Sequence, residues 1–150
     1  MNDPRGSIWR KWDLHVHTPA SIVHNFSVSA GTDVWEKFIS DLESLPPIFK
    51  AIGINDYLFL DGYKKVLEIK ATGRLKNIDL IMPVIEIRLD KFGGTTGHLS
   101  RVNWHVIFSP EIPPDIIEAQ FIAALGTEYK LSPSYEALAS KWNATITKKV

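Results

Sequence analysis

Two histidines stand two residues apart near the start of the chain. His15 and His17 belong to the alternating segment 12–17, WDLHVH, which is typical of a β-strand that ends in polar groups. Residues two apart on a strand share a face, so both imidazoles can point at one cation. Neutral imidazole suits zinc, manganese and iron. The alternative is a pair of ordinary histidines on a solvated strand face.

Two carboxylates accompany these histidines. Asp13 lies on the same predicted strand face, where it can either orient a histidine or bond to the backbone. Glu86 stands alone in the apolar run 83–87, PVIEI. A lone glutamate in an apolar strand is costly unless it is paired, and metal coordination is one way to pair it. A buried salt bridge with Arg88 is the other.

The remaining histidines are weaker candidates. His105 lies in the apolar segment 102–108, VNWHVIF, where a lone histidine is more often a hydrogen-bonded core residue. The presence of the other candidate ligands is the only reason to predict that His105 binds a metal. His24 follows the first strand in a loop from which it can reach the same site. His98 is predicted to be a surface residue.

The segments that must position these residues alternate between strand and helix patterns. Predicted strands cover residues 12–17, 49–54, 78–87 and 101–108. The run 78–87 is almost continuously apolar, which is typical of a strand buried on both faces in a parallel sheet. Between the last two strands, the glycines of residues 93–97 predict a flexible loop.

Helix signals separate the strands. Asp33 is predicted to cap a helix that ends at Pro46, and Asp61 to cap a helix of about residues 62–72 that ends at Gly73. A third helix is predicted from Asp115 to residue 126, and a last one from residues 132–133.

This order predicts an α/β fold with parallel strands and flanking helices. In such folds the chemistry lies beyond the carboxyl ends of the strands. The polar candidates cluster at those predicted ends, which are marked by His17, Asn55, Asp56 and Glu86. Because the residues come from several segments, this convergence is the strongest functional signal in the sequence.

Composition excludes several classes of protein. The chain has 150 residues, and its 17 basic and 17 acidic side chains give no formal net charge. This balance argues against a protein that binds nucleic acid through its overall charge, although a local basic patch remains possible. The absence of cysteine excludes disulfides, thiolate-bound zinc, iron–sulfur clusters and a cysteine nucleophile. No apolar run is long enough to span a bilayer, and the N-terminus has no secretory signal, so we expect a cytoplasmic protein without membrane partners.

Four motifs together resemble the PHP family, the polymerase and histidinol phosphatase domains. Residues 13–21, DLHVHTPAS, closely resemble its first motif, and residues 51–57, AIGINDY, resemble its second. Residues 82–87, MPVIEI, resemble the strand with the family glutamate, and residues 102–108 resemble the following strand with a ligand histidine. The four occur in family order. They most resemble the PHP domains at the N-terminus of large bacterial SMC-like or AAA-like ATPases, which also tend to have a tyrosine after the second-motif aspartate.

The resemblance implies a fold and a function. The fold would be the N-terminal part of a distorted (β/α)7 barrel that holds two or three divalent ions, such as manganese, zinc or iron. The activity would be phosphoester hydrolysis, as a phosphatase or nuclease. The implied metal ligands are His15, His17, His24, Glu86 and His105. The residues implied in catalysis are Asp13, Asp56, as a ligand or a supporting carboxylate, and Tyr57.

Two departures from the family pattern qualify this expectation. Tyr57 stands where the family has a histidine, and a phenol with a reference pKa of about 10 is a poorer ligand than imidazole. No histidine follows His105, so the family's closing Asp-x-His motif is absent. We therefore expect residues 1–150 to be a single but incomplete PHP-like domain, an N-terminal portion that is weakly active or inactive alone. Its expected partners are a phosphoester substrate, with nucleic acid as one option, and a downstream ATPase region or a partner chain.

Three functions remain in competition at the level of sequence. The first is a metal-dependent phosphoesterase that activates a bound water. The second is a PHP-like binding or regulatory module of a larger ATPase that has lost catalysis. The third is an amidohydrolase-type barrel, which also has a His-x-His pair after its first strand. Glu86 and the lack of later histidines argue against the third.

Overall fold

The computed structural model describes residues 8–21 and 26–125. The chain divides into two compact units, Met1–Glu111 and Ile112–Val150. The candidate ligand His24 and the helix predicted from residue 132 lie outside the described residues.

A four-stranded mixed sheet forms the first unit. Its strands are β1 (Lys11–Val16), β2 (Phe49–Ile54), β3 (Leu80–Thr95) and β4 (His98–Ile107). They lie in the order β1-β2-β3-β4. The neighbours β1, β2 and β3 run parallel, whereas β4 runs antiparallel to β3. The protein is therefore a mixed α/β structure, and the prediction of an all-parallel sheet is wrong for β4.

The glycine-rich stretch explains this difference. The prediction of a loop over residues 93–97 is wrong, because β3 runs through Gly94 to Thr95, which pairs with His98. Only Thr96 and Gly97 remain to connect the strands. Two residues can join antiparallel strands in a hairpin but cannot make the long crossover that a parallel pair requires. Gly97 has a φ of +87°, the left-handed conformation that such turns use.

Two helices connect the parallel strands. Helix α1 (Val34–Glu43) begins as predicted, because the Asp33 carboxylate accepts a hydrogen bond from the backbone N–H of Trp35 at 2.8 Å. Helix α2 (Asp61–Ala71) begins one residue earlier than predicted. Its cap is Leu60, which makes no side-chain hydrogen bond, so the predicted capping role of Asp61 is wrong. The predicted stop at Gly73 is confirmed by its φ of +93°.

The second unit begins with a short helical segment. Helix α3 (Pro114–Ile116) continues as a wider turn over Ile117–Ile122 and a tighter one over Ala123–Leu125. This agrees with the predicted third helix up to residue 125. Among the described residues, no helix is long and apolar enough to cross a membrane.

The core lies around the middle strands. In β2, residues 51–54 are buried without alternation, and in β3 residues 81–86 are buried in the same way. This pattern confirms the prediction of a strand covered on both faces. The helices contribute their apolar faces. The buried helical side chains are Phe38, Ile39 and Leu42 of α1 and Tyr63 and Val66 of α2.

An ionic clasp ties the end of α1 to the loop before β3. The Glu43 carboxylate accepts hydrogen bonds from Arg74 Nε at 2.9 Å and Nη2 at 2.8 Å, and from the backbone N–H of Leu75 at 2.9 Å. Leu75 is buried with a φ of +55°, which costs free energy in any residue but glycine. The clasp stabilises that conformation. The hydrogen bonds from Arg74 and Leu75 lower the pKa of Glu43 to about 2.

We expect Glu43→Gln to lower the free energy of unfolding at pH 7 by roughly 1 kcal/mol, the contribution of charge-assisted hydrogen bonds that are partly exposed to solvent. The folded pKa lies below the unfolded value, so this contribution is fully present above about pH 4.5 and is lost as the pH falls toward 2. Urea unfolding of both proteins between pH 7 and 2.5 measures it. Glu36→Gln is the control, because Glu36 contacts the same arginine from an exposed position and should matter less. A difference that grows toward low pH would contradict the clasp.

Candidate metal centre

The sheet brings four separate chain segments to one place. The backbone N–H of Asn55 donates to the Val16 carbonyl at 2.8 Å, which aligns the carboxyl ends of β1 and β2. Tyr57 then forms a parallel bridge with Glu86 of β3, and Glu86 is paired directly with His105 of β4. Directly paired residues project their side chains from the same face. The predicted meeting of polar residues beyond the parallel strands is therefore observed.

Three imidazoles surround one oxygen of Glu86. The Oε2 atom lies 3.4 Å from His105 Nε2, 3.5 Å from His15 Nε2 and 3.7 Å from His17 Nε2. The Nε2 atoms of His15 and His17 are 3.0 Å apart, which confirms that residues two apart at the end of β1 share a face. These four residues are called the histidine–glutamate cluster below.

The spacing within the cluster matches a metal site. Nitrogen and oxygen ligands at about 2.0–2.2 Å from a tetrahedral ion lie roughly 3.3–3.5 Å from one another. One ligand atom each from His15, Glu86 and His105 falls within 4.8 Å of the others, which is close enough to hold one ion. The donor set of imidazole nitrogen and carboxylate oxygen suits zinc, manganese or iron.

Hydrogen bonds do not satisfy all the imidazole nitrogens of the cluster. A contact between two Nε2 atoms requires one of them to accept, so His15 and His17 cannot both be protonated there. The Nε2 atom of His105 is buried and makes no hydrogen bond within the part of the chain that the structure describes. Imidazole nitrogens and a carboxylate oxygen that converge on one point are the arrangement that a cation satisfies. The residues present therefore fit a divalent ion.

Solvent reaches the cluster at His15 and, to a lesser extent, at His105, whose side chain is 34% exposed. Glu86 is completely buried and the side chain of His17 is 10% exposed, whereas 51% of the His15 side chain is exposed. The exposed histidine lies on β1, at the edge of the described sheet. A ligand would therefore approach beside His15, with Glu86 at the buried end.

Two amides hold Glu86. The sequence marked Asn55 as a polar residue at a strand end, without assigning it a role, and did not single out Asn103. Asn55 Nδ2 donates to Oε2 at 3.1 Å, and Asn103 Nδ2 donates to the other oxygen, Oε1. The signal for Asn103 was its position two residues before His105 on a strand, which gives both the same face. The competing prediction, a salt bridge to Arg88, falls on a side chain outside the described part of the structure.

Asp56 is buried behind His17. Its Oδ1 accepts from the Thr18 N–H at 2.9 Å and lies 4.0 Å from His17 Nδ1, while Oδ2 accepts from the Thr18 hydroxyl at 2.6 Å. Burial raises the pKa of Asp56 to about 6, although both bonds from Thr18 lower it. The 4.0 Å distance from His17 Nδ1 is too long for a hydrogen bond, so the role of Asp56 as a ligand or a supporting carboxylate stays a prediction.

The other predicted site residues have different surroundings. Tyr57 is 5% exposed, and its ring stacks on that of His17 with centroids 5.5 Å apart. It therefore lies beside the cluster. Asp13 accepts a hydrogen bond from the backbone N–H of His15 at 3.1 Å, which is the backbone-bonded alternative. His98 is exposed at the hairpin end, as predicted.

No protein-family model, no curated protein and no solved structure matches the chain.

A glycine keeps the Asp56 pocket open. A Cβ atom on Gly62, in the first turn of α2, would lie 2.0 Å from Asp56 Oδ2 and 2.2 Å from Thr18 Oγ1. Neither group can move away without breaking the hydrogen bond between them. The absence of a side chain at position 62 is therefore required for Asp56 to sit behind His17.

We expect Gly62→Ala to destabilise the fold by about 2–4 kcal/mol, because it forces overpacking and breaks a buried hydrogen bond. Thermal unfolding measures the loss. Gly93→Ala is the matched control, since a Cβ there would make only an ordinary contact of 3.4 Å with Val102. Equal unfolding temperatures for the two variants would show that the Asp56 pocket is not closely packed.

Proposed function

We propose that the protein is a metal-dependent phosphoesterase of the PHP type. The observation that carries the proposal is the gathering of three Nε2 atoms around Glu86 Oε2, within 3.4–3.7 Å. Strands far apart in sequence deliver these atoms, and two of the histidines belong to the segment that resembles the first PHP motif. The resemblance contributes the reaction class, and the cluster contributes a group of side chains that could hold the metal ion this reaction requires.

We also propose that the fold is the N-terminal part of a distorted (β/α)7 barrel. Three parallel strands joined by helices support the beginning of a distorted (β/α)7 barrel, whereas the β3–β4 hairpin departs from a regular strand–helix repeat. Large apolar side chains on the edge strands are exposed, as expected where a sheet continues. They include Trp12 on β1 and Leu99, Trp104 and Ile107 on β4.

The chain's own residues have separable roles in this proposal. A divalent ion at the cluster would supply the acidity that turns a bound water into a nucleophile near neutral pH and would polarise the phosphoester. His15, Glu86 and His105 would hold that ion, with His17 as the next candidate. Asp56 would keep the His17 ring in position through Nδ1, and the exposed side of His15 would admit the substrate.

The position of Tyr57 favours a second candidate function, a binding or regulatory module without catalysis. Tyr57 stands where the family has a ligand histidine, and its ring stacks against His17 instead of contributing an imidazole. A site with fewer ligands suits a metal-containing binding or regulatory module of a larger ATPase, which would retain the ion without turnover. The two candidates therefore share metal binding and differ in hydrolysis.

We expect His105→Ala to weaken binding of zinc or manganese by roughly 100-fold or more, because a direct ligand matters more than the outer partners whose loss costs about 10–100-fold. Competition with a chromogenic chelator measures the affinity. His98→Ala is the control, since this histidine lies on the same strand but at the exposed hairpin end. Unchanged affinity in His105→Ala would contradict the site.

Hydrolysis of a chromogenic aryl phosphodiester with added manganese distinguishes the two candidates. We expect weak turnover by the wild-type chain and none by His17→Ala, whose lost ring lies between Glu86 and Asp56. Metal binding without turnover would favour the regulatory module. Equal turnover by wild type and His17→Ala would show that the hydrolysis does not arise at this cluster.

A further inference from the structure

Two asparagines, Asn55 and Asn103, hydrogen-bond to the Glu86 carboxylate and restrict how it can bind an ion. Asn55 comes from the segment after β2, and Asn103 comes from β4, so the amides approach from opposite sides of β3. A carboxylate oxygen only accepts hydrogen bonds when ionised, so each amide must turn its NH2 group toward it. The Oδ1 atom of Asn55 is left buried without a hydrogen-bond partner among the described residues. The amide therefore gives up one interaction in order to hold Glu86.

The two oxygens of Glu86 have different surroundings. Oε2 faces the three imidazole nitrogens and accepts one hydrogen bond from Asn55, which leaves a second lone pair for an ion. Oε1 accepts from Asn103 on the side of β4. The nitrogen ligands thus gather at a single oxygen.

Asp56, the other carboxylate close to the cluster, is also engaged at both oxygens. Oδ1 accepts from the Thr18 N–H, and Oδ2 accepts from the Thr18 hydroxyl. These bonds hold the Asp56 carboxylate in place, with Oδ1 4.0 Å from His17 Nδ1. The described residues form one group able to hold a metal, and that group lies at Glu86.

We propose that Asn103 and Asn55 form an amide clamp that makes Glu86 a one-oxygen ligand, so that this cluster binds a single divalent ion. Asn103 is a positioning residue, since it acts through Glu86 and touches neither the ion nor a substrate. The clamp fixes the carboxylate against rotation and reserves Oε2 for the ion. This inference rests on the metal site of the proposed function but not on phosphoester hydrolysis.

Asn103 is the residue to change, because it is exposed and its replacement should cost less stability than that of Asn55, which is fully buried. We expect Asn103→Leu to weaken cobalt(II) and zinc binding by about 10–100-fold, the usual effect of removing a partner of a ligand. Asn103→Ala should lose as much, and Asn103→Gln, which retains an amide on an exposed strand, should bind nearly as well as wild type. Asn77→Leu is the matched control, since it removes an amide that caps the Leu42 carbonyl away from the site.

The measurements are cobalt titration of the metal-free 150-residue chain, followed by visible absorption, and thermal unfolding of the same metal-free proteins. Wild type should saturate at one ion per chain. Asn103→Leu should change the cobalt spectrum and unfold cooperatively at a lower temperature than wild type, because one oxygen of the buried Glu86 loses its donor, and Asn103→Gln should restore both properties. A wild-type stoichiometry of two, or equal affinity for wild type and Asn103→Leu, would overturn the clamp. A wild type that binds one ion through the clamp without hydrolysing phosphodiesters would overturn the phosphoesterase alone.

Discussion

A carboxylate buried inside a β-sheet is the constraint on which the rest of this structure depends. Glu86 is completely inaccessible to solvent in the middle of an apolar strand. An unpartnered buried carboxylate costs several kcal/mol or more, so the surrounding strands must supply donors or a cation. Each neighbouring segment does so: β1 brings histidines, the end of β2 brings Asn55, and β4 brings Asn103 and His105.

The hairpin between β3 and β4 brings Asn103 and His105 to the buried carboxylate. A parallel fourth strand would place a different residue opposite Glu86 and would require a long crossover. The tight turn at Gly97 sets the pairing of Phe92 with Arg101, and the register shift between Arg88 and Phe92 then brings Glu86 opposite His105. The short turn makes β4 antiparallel, and the irregularity within the hairpin determines which residue of β4 faces Glu86.

The site is supported by a second layer of packing. Asp56 is locked by Thr18 and enclosed by the first turn of α2, where only a glycine fits. Its carboxylate lies behind His17, and His17 lies between it and Glu86. The next buried residue after Tyr57, Leu58, has a φ of +50°, a conformation that persists only where the surroundings enforce it. Strain, burial and polar contacts thus coincide around one group of side chains, which is typical of functional sites.

Local patterns in the sequence were sufficient for the elements and for most of the cluster. The apolar run of β2 was predicted with the bounds that the structure has, and the period of two placed His15 and His17 on one face. Such signals are local, because strand alternation, the Asp33 cap and the Gly73 stop act within a few residues. What only the tertiary structure decided is long-range. The direction of β4, the clamp of Asn55 and Asn103 on Glu86 and the fit of Gly62 against Asp56 all depend on the register between segments far apart in the chain. A single sequence specifies which side chains are available, but pairing between strands determines which of them meet.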